Sequence, residues 1–325
     1  MNGTGSAYPT RDRSAWILAQ RPPRREAPDP FVPHGVFREK ERLADGTIAD
    51  TGVVLLTNRE CPWRCLMCDL WQGTTRDSVP DGAITRQVET AVRTWAAAGS
   101  LPAQVKLYNS GSFFDAAAIP PADYALVAAQ IAFARHVVVE SHPLLLGARA
   151  IALRDLLAGS LEVALGLETA DPVLLERLNK GFDLAQFACA AAFLASERIA
   201  MRAFVLVNPP FQTEGTGAAG AVKSAAYAFE HGATAVTLIP TRGGNGALER
   251  LRASGEFVPP TLALLEEAQS GALALGRGRV FADTWALEPF AACPHCFAAR
   301  RARLEAVNLA QRDLPAVCCG SCGGG

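Results

Sequence analysis

From residue 53 to residue 282 the chain alternates short apolar runs with longer amphipathic or alanine-rich stretches, and no other feature limits its folding so tightly. Short apolar runs bounded by turn signals read as strands buried on both faces. The stretches between them are long enough to return the chain as helices, so successive βα units around a parallel sheet are predicted. The predicted strands cover 53–57, 104–108, 136–140, 161–166, 202–207 and 235–239. Helices are predicted near 84–98, 121–134, 147–158, 172–179 with 184–197, and 218–231; a further one near 261–275 leads to an apolar run at 279–282. Six such units make an α/β fold, a partial (β/α)6 TIM-like barrel. An open doubly wound sheet has the same period, which does not tell closure from openness.

With 325 residues, half of them hydrophobic, the chain can bury a full core in one large or two modest domains. No apolar run approaches the roughly 20 residues of a membrane span, and the N-terminal stretch lacks the apolar centre of a signal peptide. No membrane association and a cytoplasmic location are therefore expected. The net charge of −1 argues against a broadly basic nucleic-acid surface, though not against a local patch. Residues 1–48 are rich in Pro, Arg and Gly without a sustained period and include Arg21-Pro22-Pro23-Arg24-Arg25, so an extended or disordered arm is predicted, a solvated tail or a contact to RNA phosphates. A core barrel at 49–288 and a metal-binding module at 289–325 follow.

Eight of the nine cysteines fall in two clusters, a usage that fits metal ligation in a reducing compartment better than a disulfide framework. The first is Cys61-Pro62-Trp63-Arg64-Cys65-Leu66-Met67-Cys68, directly after the first predicted strand. Thiolates select iron–sulfur clusters, zinc or copper(I), and three of them leave one iron of a four-iron cluster open to a small molecule. Half a zinc site and a redox pair with a spare thiol are the other readings of this spacing. Cys-x3-Cys-x2-Cys resembles the signature of the radical S-adenosylmethionine (SAM) enzymes. That resemblance implies a 4Fe-4S cluster on Cys61, Cys65 and Cys68, with SAM chelated to the free iron and cleaved by one electron to a 5′-deoxyadenosyl radical. It also favours the partial barrel of the radical SAM type. Met67 stands where that pattern often has an aromatic residue.

Parallel barrels gather their chemistry at the C-terminal ends of their strands. There Asn109, Ser110, Gly111 and Ser112 offer amide, hydroxyl and exposed backbone groups suited to the ends of SAM, in place of the glycine-rich motif ending in Glu that is common in the superfamily. Glu140 and Glu168 stand at the next two strand ends, as acceptors for ribose hydroxyls or the SAM ammonium, or else as loop salt bridges. Arg242 and Asn245, in the glycine-rich stretch after the sixth strand, are candidate substrate contacts, a flexible surface loop being the alternative. Cys189, alone in an alanine-rich helix, is expected in the core.

The second cluster pairs Cys293-Pro294-His295-Cys296 with Cys319-Gly320-Ser321-Cys322, two Cys-x2-Cys knuckles that can close one tetrahedral site. Zinc is the first choice and a second iron–sulfur cluster its competitor. His295 and Cys318 are spare. Arg300, Arg301, Arg303 and Arg312 between the knuckles predict a basic helical face, solvated or in contact with RNA.

Taken together, Asn58-Arg59-Glu60-Cys61-Pro62, Cys68-Asp69-Leu70-Trp71, Lys106-Leu107-Tyr108-Asn109, Gly166-Leu167-Glu168-Thr169, Leu178-Asn179-Lys180, Arg202-Ala203-Phe204, Pro240-Thr241-Arg242, Gly244-Asn245-Gly246 and the two knuckles resemble the archaeosine-synthase radical SAM subunit and its bacterial relatives. The resemblance implies cleavage of a lysine C–N bond in an adduct of a 7-deazaguanine base in tRNA. It further implies a transferase partner subunit and a reductant protein such as a flavodoxin or ferredoxin. One departure is Trp285-Ala286, where an Asp is expected after the Trp. A radical SAM enzyme on an unrelated small molecule and a non-catalytic, metal-stabilised RNA-binding protein are the other functions considered.

Overall fold

The computed structural model describes residues 6–24, 26–212 and 216–322. The parts of the predicted arm and tail at 1–5, Arg25 and 323–325 lie outside the described residues. The apolar runs do become strands. β2 (Ile48–Leu56), β3 (Gln104–Asn109), β4 (His136–Ser141), β5 (Ser160–Glu168), β6 (Ala200–Val207), β7 (Ala235–Pro240) and β8 (Arg279–Ala282) pair in parallel in sequence order, and β1 (Gly35–Arg42) adds to β2 antiparallel. The predicted partial barrel is therefore present, with β8 as a seventh parallel strand and β1 as an antiparallel edge.

The helices are α1 (Arg13–Gln20), α2 (Ala83–Ala97), α3 (Tyr124–Gln130), α4 (Ala148–Leu156), α5 (Pro172–Arg177), α6 (Leu184–Ser196), α7 (Gly217–Glu230), α8 (Ala247–Ala253), α9 (Leu262–Leu273) and α10 (Pro294–Ala310). Local chemistry starts several of them. Asp171 caps α5 by accepting from Val173 and Leu174, and Asp183 with Gln186 forms a reciprocal capping box on α6. Strand residues such as Val54, Leu107, Val139, Leu165, Val205 and Leu238 point outward into the helix-covered core. The alternate residues then face the barrel interior, because successive side chains in a strand point to opposite faces.

At the N-terminal end of the barrel that interior is charged. Arg202 reaches Glu41 and Glu162 at 2.6 Å each, Arg279 reaches Glu162 at 2.8 Å, and Lys106 contacts Glu39 and Glu41. Desolvation would raise the Glu41 carboxyl, but the charges of Arg202 and Lys106 hold it well below the usual carboxylate range. This layer corrects the expectation of an extended or disordered arm over 1–48. Glu39 and Glu41 fall within that predicted arm, yet β1 turns them inward to neutralise cations from β3 and β6. Further upstream, Tyr8 and Ile17 are buried in a second apolar cluster with Leu66, Leu178 and Leu248.

The gap between β1 and β8 is covered by α10. Asn308 accepts from Ala282 N–H and donates to Ala282 C=O, and Gln311 does the same with Val280. Two side-chain amides thus satisfy the open edge of β8 as a neighbouring strand would.

Candidate active site and tail metal site

The cysteine loop leaves β2 at the C-terminal mouth of the barrel and is fixed mainly by its backbone. Leu66 N–H donates to Leu178 C=O at 2.9 Å, Asn179 Nδ2 to Arg64 C=O at 2.7 Å and Asn245 Nδ2 to Leu66 C=O at 2.5 Å. Leu66 is fully buried and Met67 packs beside it, so methionine fills the place expected of an aromatic residue. Glu60, just before the first cysteine, binds Arg21 at 2.7 Å and Arg24 and Arg64 at 3.4 Å each. Arg24 also donates to Trp71 C=O and Thr74 C=O. Arg21 and Arg24 of the arm's basic run are therefore spent on clamping this loop.

Cys61, Cys65 and Cys68 are half-buried free thiols. Burial pushes Cys61 and Cys65 up to about 11 and Cys68 to about 12, while the Lys180 ammonium favours the thiolate at all three. Among the described residues, their sulfurs do not form a group converged within 4.8 Å. A cluster carrying each thiolate on a separate iron does not require that convergence, whereas a single ion does.

Beside this loop lies the turn after β3. A Cβ placed on Gly111 would stand 3.1 Å from that of Cys61, so the turn is pressed against the first cysteine. Asn109 is 4 % exposed, and neither its Nδ2 nor its Oδ1 has a partner among the described residues. An unpaired buried amide is costly unless something completes it. Ser110 N–H donates to Asn58 Oδ1 at 3.0 Å. Ser112 is buried and committed to Ser141 at 2.9 Å and to Phe114 N–H, inside the turn. Glu140 accepts from Asn109 N–H, and burial pushes its carboxyl up to about 8. Glu168, at φ +65°, pairs with buried Lys180 at 2.7 Å.

Sequence reasoning missed His142 and Trp63, whose rings stack at 3.5 Å with a 9° interplanar angle. His142 Nε2 donates to Lys180 C=O at 2.8 Å and its Nδ1 accepts from Leu144 N–H, an arrangement that fixes the neutral tautomer. Burial accordingly lowers its pKa to about 3. Gly181 lies so close to Trp63 that an added Cβ would come within 2.6 Å of the indole, and φ +77° independently favours glycine there.

The two candidate substrate contacts are placed otherwise. Asn245 is 1 % exposed, donates to Leu66 C=O and caps α8 by accepting from Leu248 N–H, so it holds the cysteine loop. Arg242 pairs with Asp283 at 2.8 Å and donates to Trp285 C=O. Cys189 is exposed, which corrects its assignment to the core: the buried face of α6 is Phe187, Ala190, Ala191 and Leu194, and residue 189 falls on the other side of the helix.

In the tail, the sulfurs of Cys293, Cys296, Cys319 and Cys322 all lie within 4.8 Å of one another, a set able to hold one metal ion. The N–H groups of Ser321 and Cys322 lower the Cys319 thiol to about 6. The predicted basic face is largely paired, with Arg300 on Glu266 at 3.3 Å, Arg303 on Asp313 at 2.7 Å and Arg301 on Glu305 at 3.0 Å, while Arg312 lies beyond the end of the helix.

No protein-family model matches the chain. Among solved structures, a radical SAM methyltransferase from Sphaerobacter thermophilus superposes with a TM-score of 0.52 at 15 % identity, over 78 % of this chain and 76 % of that one. An N-terminally truncated Elp3 of Methanocaldococcus infernus gives 0.49 at 14 % identity over 61 % of this chain, which spans about half of it (51 %). An uncharacterised protein of Methanocaldococcus jannaschii is 22 % identical over 251 residues, 74 % of this chain and 69 % of the relative. The fold is the partial barrel of the radical SAM enzymes. No helix among the described residues is long and apolar enough to cross a membrane.

Proposed function

We propose that the chain is a radical SAM enzyme, with Cys61, Cys65 and Cys68 holding a 4Fe-4S cluster and Asn109, Ser110, Gly111, Glu140 and Glu168 surrounding SAM. The observation that carries this reading is Asn109, a buried amide without partners, on a turn packed against Cys61. A bound cluster and SAM supply hydrogen-atom abstraction from an unactivated carbon. The rest is done by the chain. Asn109 offers amide donors and an acceptor side by side, and Glu140, whose protonated form burial favours, accepts from the Asn109 N–H of the same turn. Lys180 balances Glu168 and favours the cysteine thiolates, and the clamped loop keeps the three sulfurs in place. Ser112, spent on its turn, is left out of this set.

The substrate follows from the resemblance of the residue set: a lysine adduct of a modified nucleoside, cleaved at a C–N bond in an archaeosine-type tRNA modification. Its partners are then a transferase subunit, tRNA and a flavodoxin or ferredoxin. The tail knuckles hold a structural zinc, in keeping with a closed four-thiolate set. Anaerobic reconstitution with iron and sulfide followed by reduction in the presence of SAM tests the enzyme reading, and absence of 5′-deoxyadenosine would overturn it. Incubation with adduct-bearing RNA and the transferase tests the substrate, and an unchanged adduct alongside continuing SAM cleavage would refute that part alone.

A further inference from the structure

Above the charged layer the barrel interior changes character. Leu55, Tyr108, Gly166, Phe204, Thr237 and Ile239 are half-exposed, whereas their outward-facing strand neighbours are buried. Register places several of them side by side: Leu55 beside Tyr108, Gly166 beside Phe204, and Phe204 beside Thr237. Tyr108 and Phe204 come from strands separated by two others, yet their rings meet edge to face at 6.0 Å, so they span the interior and form its floor. Thr237 Oγ1 is buried without a partner among the described residues. Beneath them, Lys106, Arg202 and Arg279 are matched by Glu39, Glu41 and Glu162, three charges against three. At the mouth, Lys180 is matched by Glu168. Among the described residues the chamber therefore keeps no unpaired cation for a carboxylate or phosphate, and bringing an anion into it would cost desolvation without an ion pair to offset it.

We propose that this chamber is a substrate subsite for an uncharged, flat ring group that packs on Tyr108 and Phe204 and makes one hydrogen bond to Thr237 Oγ1. The proposal rests on the enzyme reading for its catalytic meaning, but the subsite is built from this chain's own side chains and is testable with or without a cluster. Aromatic floors favour offset or edge-on ring contacts, which fits a planar guest better than a branched aliphatic one. A hydroxyl left unpaired at the wall selects a ring bearing one polar atom.

The probes are indole, whose N–H can donate to Thr237; indene, its carbon analogue; and indole-2-carboxylate, the anion. Binding is read by ligand-observed NMR on the full chain, as purified and after cluster reconstitution. Indole is expected to bind at least about tenfold more tightly than the anion, consistent with the cost of an unpaired buried charge. Thr237→Val should weaken indole about three- to tenfold and leave indene unchanged, as loss of one hydrogen bond predicts. Phe204→Ala should weaken both rings, and Phe204→Trp, which fills the space, should exclude them. Equal binding of the anion, or indole binding indifferent to both Thr237→Val and Phe204→Trp, would overturn the subsite. Circular dichroism confirms that each variant folds. A failure to form 5′-deoxyadenosine with ring binding intact would strike the enzyme reading and leave the subsite standing.

Discussion

The molecule holds two cysteine sites that differ in almost every physical respect. In the tail, four sulfurs converge within 4.8 Å, two from the start of α10 and two from the turn at Cys319–Cys322, with backbone N–H groups of that turn bonded to Cys319. At the barrel mouth, three half-buried thiols share one loop, beside an amide with no partner among the described residues and a carboxyl whose protonated form burial favours. A closed, convergent thiolate set satisfies a metal and leaves it little further chemistry. An incomplete set next to unsatisfied polar groups leaves room for a second ligand. The number of ligands matters less than what lies beside them.

Single-residue changes break that contrast most sharply. Cys65→Ala should abolish SAM cleavage, to below about one part in a thousand, since removing a ligand removes the redox centre rather than weakening it. Cys319→Ala should keep cleavage measurable while lowering the melting temperature and the zinc content, because a structural metal contributes directly to folding; apparent binding free energies of such sites are about 10 kcal/mol. Metal analysis, melting curves and 5′-deoxyadenosine assays on both variants decide the matter. If Cys65→Ala cleaves SAM, or Cys319→Ala abolishes cleavage in a folded protein, the division of labour is wrong.

A smaller effect sharpens the same comparison. Lys180 is the ammonium that favours the thiolate at Cys61, Cys65 and Cys68. Lys180→Met removes a positive charge from beside the three thiols and should lower the midpoint potential of the cluster proposed there by tens of millivolts, about what a unit charge at such range exerts in a protein of intermediate dielectric. The tail metal content should not change. An unshifted potential, measured by EPR-monitored titration, would remove Lys180 from the site.

The convergent tail cysteines were legible in the sequence, because ligand spacing survives without knowledge of the fold. So were the strands of the barrel, whose apolar runs have no other stable use. What was hidden depended on partners far away in the chain. Glu39 and Glu41 look like surface charges until Lys106 and Arg202 are placed opposite them. Asn245 sits among glycines in a pattern that suggests ligand contact, yet its amide is taken by Leu66 C=O. Asn308 and Gln311 give no local sign that they complete the edge of β8, since the edge exists only once the sheet is built. The unpaired amide of Asn109 is likewise visible only after everything around it has been paired.

The gentlest test uses pH, and the two sites should respond in opposite directions. Burial raises the Glu140 carboxyl from 4.5 to about 8 in the folded chain. Below pH 4.5 folded and unfolded states both hold the proton, and Glu140 costs nothing. As pH rises towards 8 the unfolded chain ionises freely while the folded one is held neutral, so stability is lost across that window and stays lost above it. Glu140→Gln should therefore match the parent near pH 4 and exceed it by about 4 kcal/mol at pH 8.5, in melts of the cluster-free protein. The tail behaves in reverse, because thiolate ligation competes with protons and strengthens as pH rises. A Glu140→Gln advantage that is flat with pH would mean that the carboxyl is already ionised, and that the barrel mouth is wetter and less ready to receive a neutral contact than its burial implies.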